Sequence, residues 1–410
     1  MSKVLGIIAE YNPFHNGHLY HLEQSKKITG CTYTVAIMSG NFTQRGSTSL
    51  IDKWQKAKCT IENGIDLVIE LPSLYATSSA ENFAEGSIKI LDSLKVVDYI
   101  SFGAETSNIN ILDKIATVLY NEPKEYKNLL SHELSKGLSF PKARENALMM
   151  YLNDIRKYIN ILSSPNNILG IEYLKALKKY NSNIMPISIP RFEAYHNDTE
   201  YTGNVASSTA IRNIIKNNGF QILEKLIPEI TYSTLINNIK IGHIVPDLSV
   251  FEKEIIYNLR KMKLSDIAEL ADVSEGLEFA IKNAANSCNS LVEFLNIIKS
   301  KRYTSTRIQR ILLYSLLGIT KKDIAISRKV QPYVRVLGFN QKGKFLISEA
   351  AKANPKLQII TSVKKFVDNN SNKNLSLMLD KDVWATNVYT IGYEYDSWNN
   401  LDYTQKLIIL

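Results

Sequence analysis

Cysteine is scarce: the 410 residues hold three, Cys31, Cys59 and Cys288, far apart in the chain. That excludes a disulfide framework and the paired-cysteine spacing of a zinc site, and no histidine or other base neighbours any of them to make a thiol nucleophile. Long apolar runs are missing too. No stretch of about 18 consecutive apolar residues occurs, and the run Ile7-Ile8-Ala9 near the start is too brief for a signal-peptide core. The expectation is a soluble protein of the reducing cytoplasm with no membrane partner. Glycine (18) and proline (11) are scattered, which excludes collagen-like and low-complexity chains. The three tryptophans, Trp54, Trp384 and Trp398, read as core or rim residues.

Acid is missing from one region. Residues 1–200 balance 21 Lys+Arg against 21 Asp+Glu, so the whole net charge of +9 belongs to the second half. Between 299 and 365 there are 16 Lys+Arg and only two acids, Asp323 and Glu349. A basic surplus this confined favours a polyanion, because each phosphate that a protein neutralises releases condensed counterions. Lys301, Arg302, Arg307, Arg310, Lys321, Lys322, Arg328 and Lys329 are the candidate phosphate contacts. Tyr303 and Tyr333 among them are candidates to stack on unpaired bases.

The first hundred residues alternate strand and helix patterns. Strands are expected at Val4–Ile8, Thr32–Met38, Asp66–Glu70 and Val97–Phe102, with helices over Leu19–Ile28, Ser49–Asn63 and Ala80–Leu94. This order implies a parallel, Rossmann-like sheet covered by helices, with ligands at the carboxyl ends of its strands. Pro123 and Pro141 break a helical stretch before a further strand at Ile184–Ile189. The expected division is an α/β domain over 1–220, a helical domain over 221–320, and a small mixed α/β module over 321–410 with strands at Tyr333–Leu337, Gln358–Thr361 and Val388–Tyr393.

The chain has six histidines, and two of them sit in one tetrad. Gly6-Ile7-Ile8-Ala9-Glu10-Tyr11-Asn12-Pro13-Phe14-His15-Asn16-Gly17-His18-Leu19-Tyr20 runs from a strand through a polar loop into a helix. Imidazoles three apart at a helix start share a face. Their ring N–H groups, with the unpaired backbone N–H groups of that helix end, can hold phosphate oxygens, and Gly17 lets a nucleotide approach the backbone. The alternative is that His15 and His18 are metal ligands or ordinary surface histidines. Ser207-Ser208-Thr209-Ala210-Ile211-Arg212 opens a later helix and is either a second phosphate site with Arg212 as its fixed cation or a plain N-cap.

The pair of motifs resembles the HIGH-motif nucleotidylyltransferase superfamily. Further blocks tighten the resemblance: Met38-Ser39-Gly40-Asn41-Phe42-Thr43-Gln44-Arg45-Gly46, Asp66 to Pro72, Ser101-Phe102-Gly103-Ala104-Glu105 and Ser164-Pro165-Asn166-Asn167-Ile168-Leu169-Gly170. Together with Glu10 to His21 they are similar to the bacterial tRNA(Met) cytidine acetate ligase family. The resemblance implies a nucleotidylyltransferase fold for residues 1–220, activation of acetate by ATP to acetyl-adenylate, and transfer of the acetyl group to N4 of the wobble cytidine of elongator tRNA(Met). It implies that ATP is held by Ile7 to Tyr20, by Gly103, by Asn166 or Asn167, and by Arg191, while His15, His18 and Arg212 act on the phosphates.

Each position also has a plainer reading. Gly103 fits a turn, one asparagine fits a helix cap, and Arg191 fits an exposed surface. Gln44, Arg45 and Lys53 follow the second strand near the same edge of the sheet, where Arg45 is a candidate to neutralise phosphate or steer acetate, or else a surface residue; Tyr195 to Asp198 is a candidate RNA contact or a turn. No residue set is expected to bind a metal as protein ligands, although Mg²⁺ bridging the phosphates suits the chemistry. Two other functions fit parts of the pattern: a small-molecule adenylyltransferase, and a tRNA-binding protein without catalysis.

Overall fold

The computed structural model of the chain describes residues 3–106, 108–153, 158, 161–191, 206–217, 219–274, 276–299, 303–395 and 399–410. The apolar segments of the first half become β1 (Val4–Ala9), β2 (Tyr33–Ser39), β3 (Leu67–Leu71), β4 (Tyr99–Ala104) and β5 (Met185–Pro190). They pair in parallel in the order β5-β4-β1-β2-β3. Every residue of β3 is buried, as a strand covered on both faces requires. Helices Asn16–Thr29, Lys53–Glu62 and Ala80–Ser93 make the successive crossovers.

β1 has β2 on one side and β4 on the other, with Gly6 opposite both Val35 and Ile100. Chain order therefore reverses at β1, and in such sheets a crevice opens at the carboxyl ends of the strands where it does. The H-x-G-H tetrad leaves β1 at that point.

The C-terminal segment departs from expectation. Tyr333–Leu337 does contain a strand, β6 (Val334–Phe339), but it pairs antiparallel with β3, and β7 (Ile359–Ile360) and β8 (Ile408–Ile409) pair with β6 in turn. Residues 321–410 thus extend the same sheet. Val388–Tyr393 is not a strand; up to Ile391 it is the end of helix Lys373–Ile391. Leu375, Met378, Leu379, Asp382, Ala385, Thr386 and Tyr389 are buried along that helix at three- and four-residue spacing, and this packing overrides the strand preference of Val388 and Ile391.

Charge locks this seam. Lys53 Nζ donates to Glu70 Oε1 and Oε2 (2.9 and 3.1 Å) and to Asp402 Oδ1 (2.6 Å). Arg335 on β6 pairs with Glu70 (3.2 Å) and with Asp402, and all four side chains are buried. Lys53 therefore serves the fold, not the crevice. Tyr333 is buried as well, bonded to Asp382, so it offers no face to a base. Burial, with Glu70 close by, pushes the Asp382 carboxyl up to about 7.

Among the described residues between 220 and 317 short helices predominate, the last being Ser305–Leu317. Gly46, at φ +73°, lies against that last helix so closely that an added Cβ would stand 2.6 Å from the Arg310 backbone nitrogen. This packing brings the start of the helix to the crevice. Among the described residues no helix is long and apolar enough to cross a membrane.

Candidate active site

At the carboxyl ends of β1, β4 and β5 lies a cleft of about 480 Å³. Both motifs face it: Ile7 to Asn12, His15, Gly17, His18 and Tyr20 from the first, and Ser207, Ser208, Thr209 and Arg212 from the second. Gly103, Asn166 and Arg191 complete its wall. The remaining residues of the first segment support it from behind. Phe14 is buried with its ring 4.7 Å from Tyr11 and 5.7 Å from His18, Leu19 packs in the same apolar cluster, and Asn16 Nδ2 donates to the Lys225 carbonyl (2.9 Å). Pro13 does not line the cleft.

His15 caps the helix, its carbonyl accepting from the backbone N–H groups of His18 (2.8 Å) and Leu19 (3.1 Å). The two rings stack with centroids 3.6 Å apart. His18 Nδ1 accepts from the His15 backbone N–H at 3.3 Å, so a neutral His18 carries its proton on Nε2 and presents a donor. Burial, followed by His15, Arg191 and His21, holds His18 well below its ordinary value of 6.5. A neutral His18 ring at pH 7 is the consequence, and the rate of nucleotide activation is expected to show no loss from this ring as pH rises from about 6 to 8. A pH-rate profile falling with a midpoint near 6.5, and flattened by His18→Ala, would show that an imidazolium is required instead.

The loop after β2 is tied down before it reaches the cleft. Asn12 Nδ2 donates to Thr48 O (2.8 Å) and its Oδ1 accepts from Leu50 N (2.7 Å). Lys56 Nζ lies 2.7 Å from Ser39 O and 2.9 Å from Gly40 O, Glu10 O and Ser49 Oγ, which clamps the ends of β1 and β2 together. Glu10 Oε1 accepts from Gln44 N (2.7 Å), and both Gln44 and Arg45 face the cleft. Ser207 is a helix cap, accepting from Ala210 N (3.0 Å), and a cleft residue as well. Arg212 is half-buried, and desolvation lowers its pKa, with Glu10 opposing that shift and Arg45 adding to it.

The asparagine pair divides. Asn167 is buried and braces the loop after β4, accepting from Thr106 N (2.9 Å) while its own backbone N–H donates to Glu105 Oε2 (2.9 Å). Asn166 faces the cleft with its amide on Glu105 Oε1 (2.6 Å). At Gly103 an added Cβ would meet only the Arg191 Cγ at 3.5 Å. Sequence reasoning missed His21, Thr43, Phe102, Tyr173 and Thr306, all of which face the cleft. His21 had a signal in its spacing, three residues beyond His18; Thr306 had none, since it arrives from a distant helix.

The basic stretch is only partly a surface. Arg310 is buried and paired with Asp272 (2.6 Å), and Arg307 donates to Asp272 O (2.9 Å) and Ser274 Oγ (2.7 Å) while covering the Tyr303 ring. Arg310 is therefore not free for phosphate, because its charge stabilises the fold. Lys321, Lys322, Arg328 and Lys329 are exposed on helix Lys321–Lys329. Three of them, with Ser78 and Ser79, line a second cleft of about 300 Å³. Lys301, Arg302, Tyr195 to Asp198 and Trp398 lie outside the described residues. All three cysteines are buried, and burial pushes the Cys59 thiol up to about 11. Among the described residues no group of three or more His, Cys, Asp or Glu is placed to hold a metal ion.

Fold and cleft define a nucleotidyltransferase of the HIGH class, and the family model described as HIGH Nucleotidyl Transferase matches residues 2–404. Within that class the chain belongs to the tRNA(Met) cytidine acetate ligase family. The ligase of that name from Thermoanaerobacter sp. (strain X514) is 46% identical over 407 residues, covering 99% of this chain and 100% of the relative. The apo crystal structure of Thermotoga maritima TmcAL superposes with a TM-score of 0.96 at 35% identity, covering 100% of this chain and 99% of that one. The same protein bound with alpha-thio ATP gives 0.92 at 34% identity, with the same coverage.

Proposed function

We propose that the chain is an ATP-dependent ligase that activates acetate as acetyl-adenylate and acetylates N4 of the wobble cytidine of elongator tRNA(Met). The observation that carries this reading is the convergence of His15, His18, the Ser207–Thr209 turn and Arg212 on one cleft. In the first step an acetate oxygen attacks the α-phosphorus, the bond to the bridging oxygen breaks, and pyrophosphate leaves. Charge grows on the phosphate oxygens as it does so. His18 Nε2–H and the amides at the start of helix Asn16–Thr29 meet it on the α-phosphate, while Ser208, Thr209 and Arg212 hold the β- and γ-phosphates. Gly103, Asn166 and Arg191 hold the nucleoside end. Mg²⁺ bound to the phosphates would neutralise part of their charge, and Glu10 is the carboxylate among the cleft-lining residues.

In the second step the cytidine amine attacks the acetyl carbonyl, the carbonyl carbon–oxygen bond to the phosphate breaks, AMP leaves, and the nitrogen loses a proton. The base must be unstacked to reach the cleft. Incubation of the purified chain with ATP, acetate and labelled pyrophosphate tests the first step. Acetate-dependent return of label into ATP is expected; exchange that needs a phosphorylated metabolite instead would identify a small-molecule adenylyltransferase, and tRNA binding without any exchange a non-catalytic RNA-binding protein.

Lys321, Lys322, Arg328 and Lys329 are proposed to dock the tRNA through phosphates. Replacing Lys321, Arg328 and Lys329 by glutamate is expected to weaken tRNA binding and to reduce its salt slope by about one for each phosphate no longer neutralised, while leaving pyrophosphate exchange intact. Arg310→Ala is expected to lower stability instead. Unchanged tRNA affinity in the triple variant would move the docking surface elsewhere.

A further inference from the structure

His21 lies at the cleft, but neither motif accounts for it. It follows His15 and His18 at three-residue spacing on helix Asn16–Thr29, about one turn further from the helix start. Its ring proton can be placed by counting hydrogens. Ser25 Oγ stands 2.6 Å from the His21 carbonyl oxygen, which only accepts, so the single Ser25 hydroxyl proton is spent there. Ser25 Oγ and Ser101 Oγ are 2.6 Å apart, so Ser101 donates. Ser101 Oγ then has only a lone pair to offer His21 Nε2 at 2.9 Å, and Nε2 carries the ring proton. The neutral ring keeps a lone pair on Nδ1, which no described residue engages. Burial, with Arg191 adding to it, pulls His21 down to about 4, so the ring is neutral at pH 7.

This gives the cleft an acceptor among donors, since a neutral His18 presents Nε2–H and Arg191 has no lone pair to offer. ATP carries its own donors on the ribose and on the adenine amine. The ribose is the group next to the α-phosphate, and His21 is the cleft side chain about one turn along the helix from His18, at the three-residue spacing that shares its face. We propose that His21 Nδ1 fixes the nucleotide by accepting a hydrogen bond from a ribose hydroxyl, and that Ser101 is the positioning residue that holds the ring in the accepting tautomer. The inference rests on the ATP reading given above.

The test compares ATP, 2′-deoxy-ATP, 3′-deoxy-ATP and purine riboside triphosphate, by acetate-dependent exchange and by equilibrium binding, in wild type, His21→Ala, His21→Asn and Ser101→Ala. Wild type is expected to bind one of the two deoxy analogues about tenfold more weakly than ATP, the effect of one buried hydrogen bond. His21→Ala is expected to raise KM for ATP about tenfold, with the loss falling mainly on KM and not kcat, and to bind ATP and that analogue equally. His21→Asn, whose amide oxygen can reach the position of Nδ1, is expected to recover part of the discrimination, and Ser101→Ala to lose part of it. If His21→Ala kept the wild-type preference for ATP over both deoxy analogues, the inference would be overturned; a lost preference between ATP and purine riboside triphosphate would assign the hydrogen bond to adenine and overturn it equally. Because binding is read without turnover, failure of the acetate reaction leaves this test standing.

Discussion

His18→Ala is expected to slow acetyl-adenylate formation by about 10²–10³-fold, the usual cost of removing one fixed donor from a developing oxyanion. The reason lies in a hydrogen bond more than in the motif. The His15 backbone N–H occupies His18 Nδ1, which leaves Nε2–H as the ring's only donor. The donor is rigid: the ring is stacked on His15 at 3.6 Å and edged by Tyr11 at 4.9 Å. A donor that needs no reorganisation as charge appears acts on the transition state more than on bound ATP, so kcat should carry the loss and KM for ATP should change little. Single-turnover measurement of acetyl-adenylate, with the melting temperature as a check on folding, reads this directly. A folded His18→Ala protein with wild-type turnover would remove the ring from the reaction.

The second large effect concerns stability. Asp402→Ala is expected to destabilise the chain by about 3–5 kcal/mol, because it leaves two buried cations with one carboxylate between them. Lys53 and Arg335 both bond Asp402 Oδ1, and the Asp402 side chain is fully buried. Burial raises the Asp402 carboxyl, but Arg335 and Lys53 outweigh it and hold the group at about 2, against an ordinary 3.8. The sign follows by linkage. The unfolded chain takes up this proton first as pH falls, so the pair's contribution is complete above pH 3.8 and disappears through the window down to about pH 2. Asp402→Asn should lose that pH dependence along with the stability. Urea unfolding at neutral pH and through the acid window gives both numbers; a midpoint unmoved by either substitution would mean that the C-terminal seam is held by apolar packing alone.

The parallel half of the sheet was legible because local patterns suffice for it: apolar strands of five to seven residues separated by helical periodicity, with a reversal at β1 that places ligands at one edge. The cleft-lining residues of the two motifs were legible for a related reason, since His15, His18, Ser207, Ser208, Thr209 and Arg212 sit at helix starts, where chemistry and position are read together. Long-range pairing was not. Nothing in Val334–Phe339 states that its partner is β3 or that the pairing is antiparallel, and Lys53 and Arg335 look in sequence like any solvated cations. The same blindness made Arg310 a phosphate contact when it is the partner of Asp272. Asn166 and Asn167 were indistinguishable as neighbours in a chain; helix geometry turns one to the cleft and the other to the Thr106 loop.

One experiment bears most directly on the central proposal. The purified chain is incubated with ATP, carbon-13-labelled acetate and unmodified elongator tRNA(Met), and the nucleosides released by digestion are weighed by mass spectrometry. The expected result is N4-acetylcytidine carrying the label, formed only with ATP and accompanied by equal amounts of AMP and pyrophosphate. Labelled acetate recovered unchanged, with cytidine unmodified and ATP intact, would contradict it.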